Sequence, residues 1–561
     1  MTHDAVRWPA DLAHAYRVAG CWRGEALGDH LWQWADDHPD RVAVTDPTRR
    51  LTYRELAVLA DRFAEGLAGL GLRRGDSVLV QLPNVWEFVV LLLGCLRAGV
   101  APVLMLPPHR ESELGAIGSH VDARAVVVPG TWRGYDHEAL AHRVLPHLAE
   151  GARVLVCGEP RHGASVRLGD LLGPGTAEDA RKRRERLDRT APDGGDVAVF
   201  LLSGGTTAVP KVIARTHDDY AYNIRCVVAA CEFDERTVYL AALPAGHNFP
   251  LANPGILGTL FAGGRVVLAA SPRPEAAFAA IEAERVTVTA AVPAVVLRWV
   301  TAAAATPHDL SSLRHVQVGG SMLSPEVAAR IRPALGCALQ QVYGMAEGLI
   351  CYTRPDAPEQ VADTTQGAPI SPYDELLVVD RDGAPLPPGG VGELLTRGPY
   401  TPRGYYRAAE QNAVSFTADG WYRTGDLVRI TAAGQVVVCG RVKDLINRGG
   451  EKISAGEVEA LLQDLPAVAE AAAVAVPDPV VGERVCAVVR LHPGRSLTLP
   501  EVRAFLATRG VAAFKAPEHL VVVGELPHTP VGKPDKTLLR ALASAEIAST
   551  NTDEFPVSTS S

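Results

Sequence analysis

The sequence predicts an α/β protein. A large N-terminal domain of mixed and parallel sheets with helices and a small β unit is followed by a small α+β C-terminal domain. Three observations carry this. The chain has 561 residues, and at roughly 100–200 residues per domain it needs more than one core. Through residue 440, short apolar runs alternate with helix-length segments, the pattern of strands joined by covering helices. After Arg441-Val442-Lys443-Asp444 the alternation gives way to a compact mixture of helices and strands.

The elements follow in order. Thr52-Tyr53-Arg54-Glu55 reads as a capping box opening a helix with Leu56, Leu59, Phe63 and Leu67 on one face. Asp76 leads into 77–82, a buried strand. Further strands are expected at 238–243, 265–270, 286–292, 315–318 and 338–342. Pro385-Leu386-Pro387-Pro388-Gly389-Gly390 marks a turn before Gly392-Glu393-Leu394-Leu395-Thr396, the small β unit. In the last part, Ser454-Ala455-Gly456-Glu457 and Thr498-Leu499-Pro500-Glu501 read as further capping boxes, interleaved with strands at 471–476, 485–491 and 519–523. The expected domains are 1–440, a linker at 441–444, 445–546, and a Ser/Thr-rich disordered tail over 547–561.

Composition narrows the function. A 47% apolar, 21% charged chain is ordinary for a globular protein, and a net charge of −9 with no basic stripe gives no sign of a nucleic-acid partner. The basic cluster Arg181-Lys182-Arg183-Arg184 reads as a solvated helix face. Nine scattered cysteines without a CxxC pair fit reduced thiols rather than disulfides or zinc ligands. The N-terminus lacks a signal-peptide pattern, and the apolar run from Phe88 to Leu96 stops at Arg97, short of the roughly 20 residues of a membrane span. A cytoplasmic location with no membrane partner is expected. Of 55 basic residues only seven are lysines, so each surviving lysine asks whether a compact ammonium was required there.

Ser203-Gly204-Gly205-Thr206-Thr207-Ala208-Val209-Pro210-Lys211 follows a strand-like run at 197–202. Two glycines and three hydroxyl residues before a lysine make a loop whose amides and hydroxyls can wrap phosphate oxygens. It is not a Walker A loop, which places glycine directly before the lysine.

This string resembles the phosphate loop of the adenylate-forming superfamily, and four more strings in order extend the likeness over nearly the whole chain. Tyr343-Gly344-Met345-Ala346-Glu347 resembles the motif whose tyrosine stacks on adenine and whose glutamate holds Mg²⁺. Tyr422-Arg423-Thr424-Gly425-Asp426 resembles the ribose-binding motif. Gly440-Arg441-Val442-Lys443-Asp444 resembles the hinge, with Lys443 as pivot and Arg441 near the ribose. Pro530-Val531-Gly532-Lys533 resembles the motif carrying the catalytic lysine. The resemblance implies ATP and Mg²⁺, attack of a carboxylate on the α-phosphate, and a mobile C-terminal domain. It implies Lys533, Glu347 and His247 as catalytic residues, and Ser203, Gly204, Thr206, Thr207, Lys211, Tyr343, Asp426 and Arg441 around ATP. Ala208 departs from the usual glycine without removing a donor.

Within the superfamily, the stretch from His247 to Gly255, the run Arg215-Thr216-His217-Asp218-Asp219-Tyr220 and the run from Gln341 to Leu349 resemble stand-alone aryl acid adenylases, the 2,3-dihydroxybenzoate and salicylate AMP ligases of siderophore assembly. Asn248 stands where amino-acid-activating relatives carry an aspartate, so an α-ammonium would be buried unpaired, which is costly. The implied aryl pocket is Asn248, Phe249, Asn253, Gly320, Val342, Leu349 and Ile350. Asn253 departs from the usual small residue; it either faces the ring or caps a helix at Asn253-Pro254. An ortho-hydroxylated or otherwise polar-substituted aromatic acid is expected as substrate, either salicylate- or 2,3-dihydroxybenzoate-like or, with Asn253 facing the ring, a hydroxylated heteroaryl or aminoaryl acid. The expected acceptor is the pantetheine thiol of a carrier protein supplied in trans, entering beside Gly449 and Gly450; coenzyme A is the alternative. Neither an aminoacyl-tRNA synthetase nor a nucleotide-sensing module fits the acidic charge and the joint presence of Glu347, Asp426, Lys443 and Lys533.

Overall fold

The computed structural model describes residues 4–173, 175–203, 210–448, 451–478, 481–509, 511, 513–529 and 532–552. The large domain holds two sheets built mainly of parallel strands. In one, the order is Ala368–Pro369, Gly348–Tyr352, Ala338–Met345, His315–Gly319, Val288–Ala291, Val238–Ala241, Arg265–Leu268, Val42–Thr45 and Arg50–Thr52. In the other, the antiparallel edge strand Val212–Thr216 leads into Val197–Leu202, Ala101–Leu104, Ser77–Val80, Ala125–Pro129, Arg153–Cys157 and Val166–Arg167. Strands such as Ser77–Val80 are buried throughout, because helices cover both faces of a parallel sheet.

The helix Tyr53–Gly69 forms where the sequence predicts. Thr52 and Glu55 make the reciprocal capping box, and Leu56, Leu59, Phe63 and Leu67 are buried. It packs so closely on the helix Trp86–Ala98 that a Cβ on Gly94 would lie 2.7 Å from the Ala60 carbonyl oxygen. The basic cluster does sit on a solvated helix, Ala177–Arg189, with Lys182 paired to Glu178 and Arg181 to Glu185. All nine cysteines are unbridged.

The small β unit is an antiparallel sheet of Glu375–Val379, Gly392–Arg397, Tyr422–Ile430 and Val436–Arg441. Beyond it lies the α+β domain. Gly482–Leu491 pairs with Val468–Asp478, Leu445–Arg448 and His519–Val522, and Glu451–Ser454 completes the sheet. Successive residues of its central strand serve opposite cores: Val485, Ala487 and Val489 pack with Val458 and Val502, while Cys486 and Val488 pack with Leu539 and Ala543. Thr498 makes a reciprocal capping box with Glu501, whereas Ser454 caps Glu457 one way only. One expectation is corrected. The last helix runs Lys536–Thr552, so residues 547–552 are helical rather than disordered; Leu539 and Ala543 anchor its start. No helix among the described residues is long and apolar enough to cross a membrane.

Candidate active site

The residues singled out in the sequence converge on a cavity of about 1010 Å³ at the junction of the two domains. Ser203, just past the end of the strand Val197–Leu202, donates its amide to the Lys211 carbonyl at 2.9 Å, and its Oγ accepts the Lys211 amide at 3.0 Å. Ser203 and Lys211 thus clamp the neck of the loop between them. Gly204, Thr206 and Thr207 lie outside the described residues. The Lys211 ammonium sits 4.8 Å over the Tyr405 ring, a cation–π contact.

The strands Ala338–Met345 and Gly348–Tyr352 form a hairpin that puts Tyr343 on a strand and Glu347 in the turn. Gly348 holds φ at +132°, and a Cβ there would strike Thr401 Oγ1 at 2.6 Å; glycine is required for the turn to close. Glu347 is buried, and its Oε1 accepts the Tyr405 hydroxyl at 2.9 Å, with Tyr422 next at 3.1 Å. Oε2 takes no bond from the described residues. A carboxylate with one oxygen held and the other on the cavity suits a hard divalent cation.

Asp426 and Arg441 face each other across paired strands. Arg441 Nε donates to Asp426 Oδ1 at 2.6 Å, and the Tyr343 hydroxyl to Oδ2 at 2.8 Å. Lys443 follows in a short 3-10 turn, Val442–Asp444. Lys533 enters from the small domain on a turn in which Thr529 Oγ1 accepts its amide; its neighbours Pro530 and Val531 lie outside the described residues. A Cβ on Gly320 would lie 3.9 Å from Lys533 Cε. Enclosure, and then the charge of Arg441, push the Lys533 pKa down to about 8, against the opposing pull of Asp426 and Glu347. Gly449 and Gly450 lie outside the described residues.

The candidate aryl pocket is built on the short helix Asn248–Ala252. His247 caps it, accepting the Phe249 amide on Nδ1 at 3.2 Å; burial pushes its pKa down to about 4, so the ring is neutral. Asn248, Phe249, Asn253, Gly320, Val342 and Ile350 line the cavity. Leu349 does not, which corrects the sequence expectation. Alternation along Gly348–Tyr352 turns it to the other face, where it packs with Leu394, Val428 and Val436. The cap reading of Asn253 is also overturned. Pro254 is the N-cap of the helix Gly255–Phe261 and no side chain caps it; Asn253 instead ends the preceding helix with its amide bonded to Asn223 and to the Asn248 carbonyl.

Three contacts at the site are not read from the sequence, although Tyr220 lies in one of the runs that carry the resemblance. Tyr405 holds Glu347; Tyr220 donates to Asn248 Oδ1 at 2.7 Å; Asn223 bonds Asn253 at 3.0 Å. Asp219, Tyr220 and Asn223 fall at helical spacing on one buried face of His217–Ala230, and polar residues there were a usable signal. Tyr405 offered none.

A cleft that ends on an enclosed lysine, with a carboxylate turn and an Arg–Asp pair on its rim, is the site of an adenylate-forming enzyme. Residues 31–406 match the AMP-binding enzyme family and residues 457–533 the AMP-binding enzyme C-terminal domain. The chain belongs to that family, a ligase family, as its five motifs imply.

Similar proteins include a salicylyl-CoA synthase / salicylate adenylyltransferase from a Streptomyces species, 56% identical over 542 residues, 96% of this chain and 98% of that protein. The 2-hydroxy-7-methoxy-5-methyl-1-naphthoate–CoA ligase of Streptomyces carzinostaticus is 51% identical over 539 residues, 96% and 97% of the two chains. The salicyl-AMP ligase / salicyl-S-ArCP synthetase of Mycobacterium tuberculosis is 47% identical over 537 residues, 95% and 93% of the two.

Proposed function

We propose that this enzyme activates an aromatic carboxylic acid bearing a hydroxyl ortho to the carboxyl, forming an aryl-AMP from ATP. The aroyl group then passes to a pantetheine thiol, the thioester forming as the bond to AMP breaks. The observation that carries this reading is the pocket running from Asn248 to Lys533. It has apolar walls, an amide where an α-ammonium would need a carboxylate, and an ammonium at the end where a carboxyl must react. The acids in the names of the three relatives share the ortho-hydroxyl.

In the chemistry, a carboxylate oxygen attacks the α-phosphorus and the bond to pyrophosphate breaks. Lys533 would bond both the carboxylate and an α-phosphate oxygen, offsetting charge as it develops. Lys211 and Ser203 stand at the neck of the loop that would hold the β- and γ-phosphates. Asp426 would take the ribose hydroxyls, exchanging one of its present partners for them. Glu347 would hold Mg²⁺, which supplies charge neutralisation on the phosphates; Tyr405 keeps that carboxylate turned toward the cavity. His247, neutral, stands beside the carboxyl end as an N–H donor.

A carrier-protein arm in trans is the acceptor favoured here, in keeping with the carrier-linked relative. The names of the two most identical of the three relatives support a second reading, free coenzyme A. ATP–pyrophosphate exchange over salicylate, an α-amino acid and a long fatty acid tests the first step. Fastest exchange with either of the last two would sink the aromatic reading. Thioester formation from coenzyme A and from an aryl carrier protein, compared by kcat/KM, separates the acceptors.

A further inference from the structure

The polar lining of the aryl pocket is one-sided. His247 accepts the Phe249 amide on Nδ1, so the proton of the neutral ring sits on Nε2 and that nitrogen is a donor. Asn248 receives the Tyr220 hydroxyl on Oδ1 at 2.7 Å. Tyr220 is fully buried and donates to nothing else among the described residues. Were the Asn248 amide turned over, that hydroxyl proton would be stranded. Its Nδ2, bonded to none of the described residues, is therefore the end left for a ligand.

Asn253 is fixed independently. Its Nδ2 donates to the Asn248 main-chain carbonyl at 3.2 Å, which can only accept, and its Oδ1 accepts Asn223 Nδ2 at 3.0 Å. Asn223 is turned the same way by two groups with a single polarity. The Ala252 carbonyl accepts from its Nδ2, and the Arg215 guanidinium donates to its Oδ1, both at 3.4 Å. Arg215 is itself anchored by Asp219 at 2.6 Å, both fully buried. One N–H of Asn253 remains. Every side-chain polar group on this wall thus offers a proton, and the side chains of Phe249, Val342 and Ile350 beside them carry no acceptor.

We propose that the pocket selects aromatic acids by the hydrogen-bonding polarity of their ring substituents. The group ortho to the carboxyl, facing Asn248, and the group beside it, facing Asn253, must accept hydrogen bonds; amino groups there are rejected. This rests on the aromatic-acid reading above. Salicylate meets the rule, because its hydroxyl proton turns in to its own carboxylate and leaves oxygen lone pairs facing Asn248 Nδ2. Anthranilate breaks it. One amino N–H bonds its carboxylate, the second points at an N–H of Asn248, and the nitrogen lone pair is drawn into the ring. Benzoate leaves the donor unpaired without a clash and falls between.

The test is kcat/KM in ATP–pyrophosphate exchange for salicylate, benzoate and anthranilate, and for 2,3-dihydroxybenzoate against 3-aminosalicylate. The expected order is salicylate, benzoate, anthranilate, with salicylate ahead of anthranilate by about a hundredfold or more. Tyr220→Phe frees the Asn248 amide to turn, and the salicylate-to-anthranilate ratio shrinks about tenfold. Asn253→Ala reduces only the second pair's ratio. Salicylate and anthranilate within about threefold of each other in the native enzyme overturn the inference, as does an undiminished ratio in soluble Tyr220→Phe. Exchange with no aromatic acid at all overturns the aromatic reading itself, and this inference with it.

Discussion

Two enclosed cations are treated in opposite ways. Arg97, buried between the helices Trp86–Ala98 and Tyr53–Gly69, bonds Asp61 at 2.8 Å and Asp188 at 2.7 Å and also contacts Asp29. Those carboxylates hold its pKa above the ordinary arginine value despite desolvation. Lys533 makes no ion pair among the described residues, and its pKa falls to about 8. The arginine's charge is used up inside the protein, tying helices together. The lysine's charge is left over, its desolvation uncompensated by a bonded carboxylate, and an anionic ligand is what would compensate it.

That contrast can be broken from either side. Arg97→Met strands Asp61 in the interior and should destabilise the large domain by about 3–5 kcal/mol, read by denaturant unfolding, while kcat/KM of the folded enzyme changes little. A large loss of kcat/KM at intact stability would place Arg97 in the reaction instead. Lys533→Ala should do the reverse, lowering exchange by about a hundred- to a thousandfold. Its thermal stability at pH 7 should hold or rise, because a lysine whose pKa falls on folding opposes folding while it is charged. That gain should fade as pH climbs from about 8 toward the ordinary lysine value. In the native enzyme, kcat/KM for exchange should decline as pH rises through about 8, the free-enzyme ammonium being the form that works. A flat profile to pH 10 would remove Lys533 from that role. The smallest effect is expected from Tyr405→Phe. Loss of one hydrogen bond to Glu347 is worth about 0.5–1.5 kcal/mol and should show as a higher Mg²⁺ requirement in exchange, with salicylate KM nearly constant.

What the sequence disclosed and what it hid divide along the same physical line. Motifs carried by contiguous strings, such as 343–347 and 422–426, were legible because their function depends on local spacing. Strand alternation is legible in principle, and it sets Leu349 and Ile350 on opposite faces, whereas the resemblance implies both for the pocket. The Asn253 cap reading failed because a local signal, Asn before Pro, competed with contacts that only the fold creates. Tyr405 and Glu347 are 58 positions apart and Asn223 and Asn253 are 30 apart; nothing in either local string announces the other. The α/β order through residue 440 could be read because buried parallel strands are continuous apolar runs. The reach of the last helix could not, since its final turns carry the polar composition of a tail.

The low pKa of Lys533 has a chemical side. An aryl-AMP is an acylating agent, and neutral amines are what it acylates. At pH 7.5 roughly a quarter of a group with pKa near 8 is neutral amine, against about one part in a thousand for an ordinary lysine. On the proposed mechanism, the side chain that would stabilise the mixed anhydride is therefore also the one most exposed to capture by it. Elsewhere the chain offers little to capture, with seven lysines among 55 basic residues and guanidinium, which stays protonated, nearly everywhere else. Prolonged incubation with acid and ATP but no thiol should therefore leave its acyl mark on Lys533 first.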